Sequence, residues 1–497
     1  MATLNWVGRD AVVDHHERVE SRPLREVPDL ACGEADSGNL IIQGDNLLVL
    51  KALLPEYAGK VKCLYVDPPY NTGTEGWVYN DRVDSPAMRE WLGKVVGAHA
   101  AHDHGAAGRD PDPGSATPGN RGGSTHRDLP EMDRRDRWLS MMYPRLRLAK
   151  EMLSPDGLVA VSIDDREVSV LGVLLDEIFG AKNRLACAPW LAEPSGGKEK
   201  TGLRAGHEYL LIYHNGDNRS ISRETRSTGE LNLKDGWGRY RKGRELTKWG
   251  GISLRANRPG QWYPMRTPTG IEVWPIRNDG AEGHWRWGRE HSMRPILEDP
   301  ERAHWELRAF DDGVTWNGQR ERWVPYEKIR DASKSVGWST WLDSHGFNAD
   351  ATRELKEILG RKVFDTPKPV ALIRWLVSLH ADDDALVVDM FAGSGTTAHA
   401  VMSLNRDDSC AVDVAGSHAP AKIAGAVGID VSGSLVGGAS VGRRRFILIE
   451  MEPQIARDIT AERVRRVVHG YANARGESIR GLGGGFRFLE LDLNGAD

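Results

Sequence analysis

Cysteine is scarce in this chain, with four in 497 residues. Cys32, Cys63, Cys187 and Cys410 lie far apart, and no two of them form a Cys-x-x-Cys pair. That spacing argues against a disulfide framework and against a structural zinc site, so no metal is expected. Long apolar runs are missing as well, since no stretch approaches the roughly 18–20 residues of a membrane span. The segment from Met1 to His16 lacks a basic-then-apolar signal pattern, so a cytoplasmic location without membrane attachment is expected. Nor is there a surplus of positive charge. The formal net charge is −5, whereas nucleic-acid binders often carry a basic balance. Local distribution weighs more than the total. Between Asn218 and Pro275 there are 12 Lys or Arg against 5 Asp or Glu, although a solvated charged surface gives the same count. No internal repeat is present.

What is there is mostly α/β punctuation. Leu40-Ile41-Ile42 reads as a short strand ending at Gly44-Asp45, and Leu47, Leu50, Leu53 and Leu54 have helical spacing. Val61 to Val66 reads as a second strand. A helix is expected from about Asp136 to Leu153, then a turn at Ser154-Pro155-Asp156-Gly157 and a strand from Leu158 to Ile163. Asp164 or Asp165 would cap the next helix, which stops near Gly180. From 184 to 350 the pattern loosens, and twelve of the seventeen Trp fall there. The α/β pattern returns with a helix at 367–379, a strand at 385–390, a Gly-rich turn, a helix from Thr396 to Leu404, a strand at 445–450 and a helix from Pro453 to Tyr471. The expected organisation is an N-terminal extension (1–38), one α/β domain in two halves (39–183 and 351–480) around a middle module (184–350), and a C-terminal tail (481–497). Two stretches, 98–126 and 407–442, lack periodicity and read as flexible insertions.

Asp67-Pro68-Pro69-Tyr70 follows the second strand, at the carboxyl end where open α/β sheets hold their ligands. An exocyclic base amine is a poor nucleophile because its lone pair is delocalised into the ring. Hydrogen bonds to a carboxylate such as Asp67 and to the Pro68 carbonyl favour a tetrahedral nitrogen and free that lone pair. Pro68 and Pro69 stiffen the loop, and Tyr70 offers a π-face to an extruded base. The plain alternative is a Pro-Pro turn with Tyr70 as packing.

A second motif runs strand, glycines, helix: Asp389, Met390, Phe391, Ala392, Gly393, Ser394, Gly395, Thr396 and Thr397. Its free N–H groups suit a carboxylate. No Lys follows as in a phosphate loop. A tight strand-to-helix connection is the alternative. Glu450 ends the next strand and is placed to accept ribose hydroxyls, with Glu452 as a competitor. Asp45, and Thr366-Pro367-Lys368 before the helix that precedes the Gly-rich strand, are further cofactor candidates. Capping is the plain reading of both.

Together these segments, with Asn71-Thr72-Gly73, Tyr79-Asn80-Asp81, Val161-Ser162-Ile163-Asp164-Asp165, His207-Glu208-Tyr209 and Gly485-Phe486-Arg487, resemble the amino-methyltransferases that modify adenine N6 or cytosine N4 in DNA. The catalytic motif precedes the cofactor motif, which resembles the permuted β class, and in particular the modification subunits of type III restriction–modification systems. The resemblance implies a doubly wound Rossmann-like sheet binding S-adenosylmethionine, with the middle module recognising the target DNA. It assigns Asp67, Pro68, Pro69 and Tyr70 to the base. It assigns Asp45, Thr366, Pro367, Lys368, residues 389 and 391–397, and Glu450 to the cofactor. As partners it implies double-stranded DNA, a homodimer and a restriction (nuclease/helicase) subunit. The leading Asp favours adenine, since Ser stands there in many cytosine enzymes. Relatives acting on protein glutamine or RNA usually carry Asn there and place the cofactor motif first. A non-catalytic DNA-binding subunit of the same fold is the alternative of a different class. In the middle module, Arg239, Arg241, Lys242, Arg244 and Lys248 are expected to track phosphates.

Overall fold

The computed structural model describes residues 3–34, 36–71, 133–196, 202–216, 221–290, 292–380, 382–416 and 443–492. The expected insertion at 98–126, the Tyr79-Asn80-Asp81 segment and the part of the second insertion from 417 to 442 lie outside the described residues. Two compact units form. One runs to Arg223 and resumes at Trp338; the other is residues 224–337.

In the large unit the chain lays down β1 (Leu24–Glu26), β2 (Leu40–Gln43), α1 (Asn46–Tyr57) and β3 (Val61–Val66). Then come α2 (Arg134–Met152), β4 (Leu153–Ile163), α3 (Val168–Leu175), β5 (Arg184–Leu191) and β6 (His207–His214). The smaller unit holds a four-stranded antiparallel sheet. Its strands are β7 (Leu233–Asp235), β8 (Gly238–Glu245), β9 (Ala303–Ala309) and β10 (Glu321–Ile329), in the order β9-β10-β8-β7. A separate core there gathers Leu246, Tyr263, Met265, Trp285 and Met293. The chain then returns to the large unit through α4 (Asn348–Leu359), α5 (Val370–Ser378), β11 (Leu386–Asp389), α6 (Thr396–Gly416), β12 (Arg445–Glu450), α7 (Glu462–His469) and β13 (Gly485–Leu491).

The main sheet has the strand order β1-β13-β2-β12-β11-β3-β4-β6-β5. From β13 to β4 every pairing is parallel. Its central strands are apolar on both faces, as a parallel sheet covered on both sides requires. Ile42, Leu64, Val66, Val161, Val388 and Ile449 point into one core with Leu50, Trp138, Leu146 and Leu174. Ile41, Tyr65, Ala160, Val387, Phe446 and Leu448 point into the other with Leu372, Leu376, Val401 and Val464. Each such side chain contributes about 1.5–3 kcal/mol of burial. β11 and β3 are parallel neighbours, with Val388 opposite Leu64. The segments that follow them therefore emerge side by side at one edge of the sheet.

The structure departs from the expected elements in places. Residues 154–157 are no turn. Leu153 pairs with Val61 and Leu158 with Cys63, so these turn-prone residues form the arc of a bulge inside β4. Neither Asp164 nor Asp165 caps α3, whose N-cap is Glu167 without a side-chain bond; the Asp164 carboxylate accepts from the Arg166 N–H instead. Helix α6 runs past Leu404 to Gly416, into the stretch expected to be a flexible insertion from 407. Asp407 and Asp408 there pair with Arg374 and Arg444. The second unit, 224–337, is narrower than the 184–350 expected of the module, because β5 and β6 belong to the main sheet. The tail from 481 contributes β13, which lies parallel beside β2 and receives β1 on its other edge.

Candidate active site

A cavity of about 430 Å³ opens between the segments that follow β3 and β11. Asp67, Pro68 and Tyr70 line one wall, residues 391–394, 396 and 397 another, and Phe364, Thr366, Pro367 and Lys368 a third. Asp389 and Glu208 also reach it.

The Asp67-Pro68-Pro69-Tyr70 loop is held from behind. The indole N–H of Trp138, on α2, donates to the Pro69 carbonyl at 2.7 Å. Asn71 follows with φ of 58°, and its buried amide donates to Glu167 at 3.0 Å. The Tyr70 hydroxyl lies 3.1 Å from an Asp67 oxygen and 3.0 Å from a Glu208 oxygen. Burial first, and then the Asp67 and Glu208 charges, hold the Tyr70 phenol well above its usual range, so it stays a hydrogen-bond donor. The Lys368 ammonium donates to both Asp67 oxygens, at 2.9 and 2.8 Å. Glu208 lies 3.7 Å from the same ammonium. Burial raises its carboxyl above the usual value; Lys368 opposes the shift and Asp67 adds to it.

The Gly-rich turn is built by its neighbours. Gly393 and Gly395 take φ of 49° and 76°, a region that favours glycine. A Cβ on Gly393 would meet the Phe364 ring at 3.1 Å. The Asp389 carboxylate accepts from the Phe391 N–H at 3.0 Å and from the Thr397 hydroxyl at 2.5 Å. Burial pushes it up to about 7 against those two bonds. Beneath the turn, the fully buried Arg463 of α7 donates to Ser394 and Thr396 hydroxyls at 3.0 and 2.7 Å. Thr396 in turn donates to the Lys368 carbonyl at 3.0 Å.

Two cofactor candidates are otherwise engaged and are not among the cavity-lining residues. Glu450 accepts from the Gly393 and Glu452 N–H groups at 2.9 and 3.0 Å, and burial pushes it up to about 7. Asp45 caps α1 through the Leu47 N–H at 2.8 Å and pairs with the buried Arg145 at 2.7 Å. Glu208, Trp138 and Arg463 were given no role by motif reasoning. The only signal was the His207-Glu208-Tyr209 segment for the first.

The basic candidates sit in the smaller unit, which carries 21 Lys or Arg against 17 Asp or Glu. Arg239, Lys242 and Arg244 are exposed on β8, and Arg241 and Lys248 are half-buried. Lys242 pairs with Glu306 at 2.7 Å and Arg244 with Glu327 at 3.1 Å. Neighbouring strands therefore offset part of the positive charge.

The family model described as DNA methylase, of the N6/N4 methyltransferases, matches residues 61–462. The chain is 33% identical over 396 residues to the Mod subunit of the type III restriction-modification enzyme EcoPI from Escherichia phage P1, covering 75% of this chain and 56% of that protein. It is 31% identical to the type II methyltransferase M.KpnI of Klebsiella pneumoniae, covering 78% and 81%. Against the EcoP15I Mod subunit of Escherichia coli the figures are 30%, 74% and 56%. The chain thus spans little more than half the length of these Mod subunits. With the match running from β3 into α7, across both segments that build the cavity, the chain belongs to the DNA methylase family of N6/N4 methyltransferases.

Proposed function

We propose that the chain is a site-specific DNA methyltransferase. It transfers a methyl group from S-adenosylmethionine to adenine N6 in double-stranded DNA, after flipping of the base, within a restriction–modification system. One observation carries the reading: the candidate amine acceptors (Asp67, Pro68, Tyr70) and the Gly-rich turn (residues 391–394, 396 and 397) line the same cavity. The names of the relatives, Mod subunits and a type II methyltransferase, support it.

The residues present fit S-adenosylmethionine. The turn leaves a cradle at Gly393 that a Cβ would fill. The first N–H groups of α6, which have no partner inside the helix, suit the methionine carboxylate, while the Phe391, Gly393 and Gly395 N–H groups already serve Asp389, Glu450 and Ala392; Phe391, Phe364 and Pro367 give apolar walls. Glu450 and Asp45 are assigned to the cofactor by their places at the carboxyl ends of the adjacent strands β12 and β2. When bound, the cofactor supplies an electrophilic methyl group on a sulfonium sulfur. The chain does the rest. Asp67 and the Pro68 carbonyl accept hydrogen bonds from the two amine N–H groups, which shifts the nitrogen toward a tetrahedral geometry. Tyr70 stacks on the extruded ring. The N–C bond would form as the sulfonium S–CH3 bond breaks, with the electron pair left on a neutral thioether; Asp67 takes the amine proton, and the rigid prolines keep both acceptors in place before reaction. Double-stranded DNA engages the 224–337 unit, while a second copy of the chain and a restriction subunit are the other partners of this reading.

The test is nucleoside analysis of DNA incubated with the purified chain and labelled S-adenosylmethionine. N6-methyladenine is expected with wild type and not with Asp67→Ala. Label in N4-methylcytosine moves the target to cytosine. A wild-type chain that binds DNA and transfers nothing is a binding subunit, and the enzyme reading fails.

A further inference from the structure

The Asp67 carboxylate has a prior engagement. Methyl transfer needs it open to an incoming amine, yet both of its oxygens hold the Lys368 ammonium, at 2.9 and 2.8 Å. The same ammonium lies 5.0 Å from the centroid of the Tyr70 ring. It occupies the acceptor and the π-face that the base amine and base ring would use. The lysine side chain is only 8% exposed, so this is an internal contact and not a passing surface pair.

We propose that Lys368 and Glu208 form a two-position latch on the base subsite. Lys368 holds Asp67 until an extruded base arrives, and Glu208 is the positioning residue that then receives the ammonium. The proposal rests on the methyltransferase reading above and deepens it.

The geometry of the second position is already set. Glu208 Oε2 stands 3.7 Å from Lys368 Nζ. A displacement of about 1 Å brings that pair to the usual length of a charge-assisted hydrogen bond. The flexible four-carbon stem of lysine permits this without backbone movement, and the Lys368 carbonyl stays pinned by the Thr396 hydroxyl. The Tyr70 hydroxyl sits between the two carboxylates, 3.1 Å from Asp67 and 3.0 Å from Glu208. Having one hydrogen, it serves one of them at a time. With the lysine on Asp67, the hydroxyl serves Glu208. With the lysine on Glu208, it turns to Asp67 and leaves the other Asp67 oxygen for the base amine. Each carboxylate thus keeps a donor in both positions, which a buried acid requires.

The latch predicts that the two residues depend on each other. Glu208→Gln keeps the shape but removes the charge that draws the lysine away. Methyl transfer should slow by about tenfold or more in kcat, with KM for S-adenosylmethionine within about twofold. Glu208→Asp should restore part of the rate. In a Lys368→Met background there is no ammonium to move, so adding Glu208→Gln should cost less than about twofold, a strong departure from additivity. Melting curves of all variants confirm folding, and equilibrium dialysis with labelled S-adenosylmethionine reports cofactor binding separately. Equal slowing by Glu208→Gln in both backgrounds overturns the latch, as does no slowing with Lys368 present. Loss of cofactor binding in Lys368→Met also overturns it, since the ammonium would then belong to the cofactor. No transfer to DNA by wild type is a different failure, that of the methyltransferase reading itself.

Discussion

The indole of Trp138 and the carbonyl of Pro69 meet across 2.7 Å, in a hydrogen bond between the helix after the first sheet crossover and the tip of the Asp-Pro-Pro-Tyr loop. The indole is fully buried and the proline half-buried, so the bond ties the loop to the core. Two prolines set the loop's shape, but nothing in their rings fixes where the loop points. Trp138 supplies that. Trp138→Phe keeps most of the apolar volume and removes the donor. The carbonyl of the half-buried Pro69 then loses its partner, at a cost of about 1 kcal/mol. Denaturant melts should show that loss, and steady-state kinetics should show kcat falling more than KM for the cofactor.

Gly393 presents a sharper backbone test. Its φ is 49°, and an added Cβ would press on the Phe364 ring at 3.1 Å. Gly393→Ala adds left-handed strain of about 1–2 kcal/mol and crowds the cavity. S-adenosylmethionine binding, read by calorimetry, should weaken about tenfold or more. Adding Phe364→Leu should recover part of it, because only the steric share of the loss is relieved.

Arg463 carries the floor of the same turn. It is buried, lies 3.7 Å from Glu354 and donates to Ser394 and Thr396. Burial lowers its guanidinium below the usual value, with Glu354 opposing. Arg463→Met removes the buried donor to the Ser394 and Thr396 hydroxyls and the cation facing the half-buried Glu354, which keeps the Val370 N–H, and should cost about 1–3 kcal/mol. The double variant with Glu354→Gln should cost less. Chemical denaturation of the four chains reads the coupling.

Asp389 predicts a pH dependence of stability. Its folded carboxyl is raised from an ordinary 3.8 to about 7 by burial. Between those values the folded chain holds a proton that the unfolded chain has released. Stability from this group is therefore complete at low pH and is lost as pH rises through about 7. Asp389→Asn still bonds the Phe391 N–H and the Thr397 hydroxyl, so it should flatten the fall in melting temperature between pH 4 and 7. An unchanged slope would mean that the group is ionised in the folded chain.

In the smaller unit, Lys242 is tied to Glu306 and Arg244 to Glu327. If these cations track phosphates, Glu306→Gln should release Lys242 and tighten non-specific duplex binding. The slope of log affinity against log salt should steepen by about one unit. Arg239→Ala should make it shallower by a similar amount. Fluorescence anisotropy with a labelled duplex over a salt series decides the matter, and flat responses to both changes remove this strand as a phosphate track.

Much of the sheet was legible in the sequence because its signals are local. Continuous apolar runs at 40–42, 63–66 and 446–449 have one outcome in a parallel sheet. The Gly-rich turn announced itself through backbone freedom. What could not be read depended on distance along the chain. Asp67 and Lys368 are 301 positions apart, so a lysine in a Thr-Pro-Lys-Pro segment gives no hint that it sits on the carboxylate of the Asp-Pro-Pro-Tyr loop. Asp45 reads equally as a cap or a ligand until Arg145 is placed against it. Residues 154–157 have turn composition, and only the pairing of β4 with β3 turns them into a bulge. The acids at 407 and 408 look like part of a loose insertion until Arg374 and Arg444 meet them.

The strand order β2-β12-β11-β3 has a consequence for how the protein comes into being. Strands from beyond residue 385 lie between strands from before residue 67, so neither half can close its own sheet. On the ribosome, β2 and β3 emerge with a gap between them and wait for more than three hundred residues before β11 and β12 fill it. Such non-local pairing folds slowly and leaves strand edges exposed meanwhile. It also makes the cavity all-or-none: a chain broken off before β11 carries the Asp-Pro-Pro-Tyr loop but neither the Gly-rich turn nor the strand that sets that turn beside it. An incomplete copy of this protein is thus disarmed by its own topology.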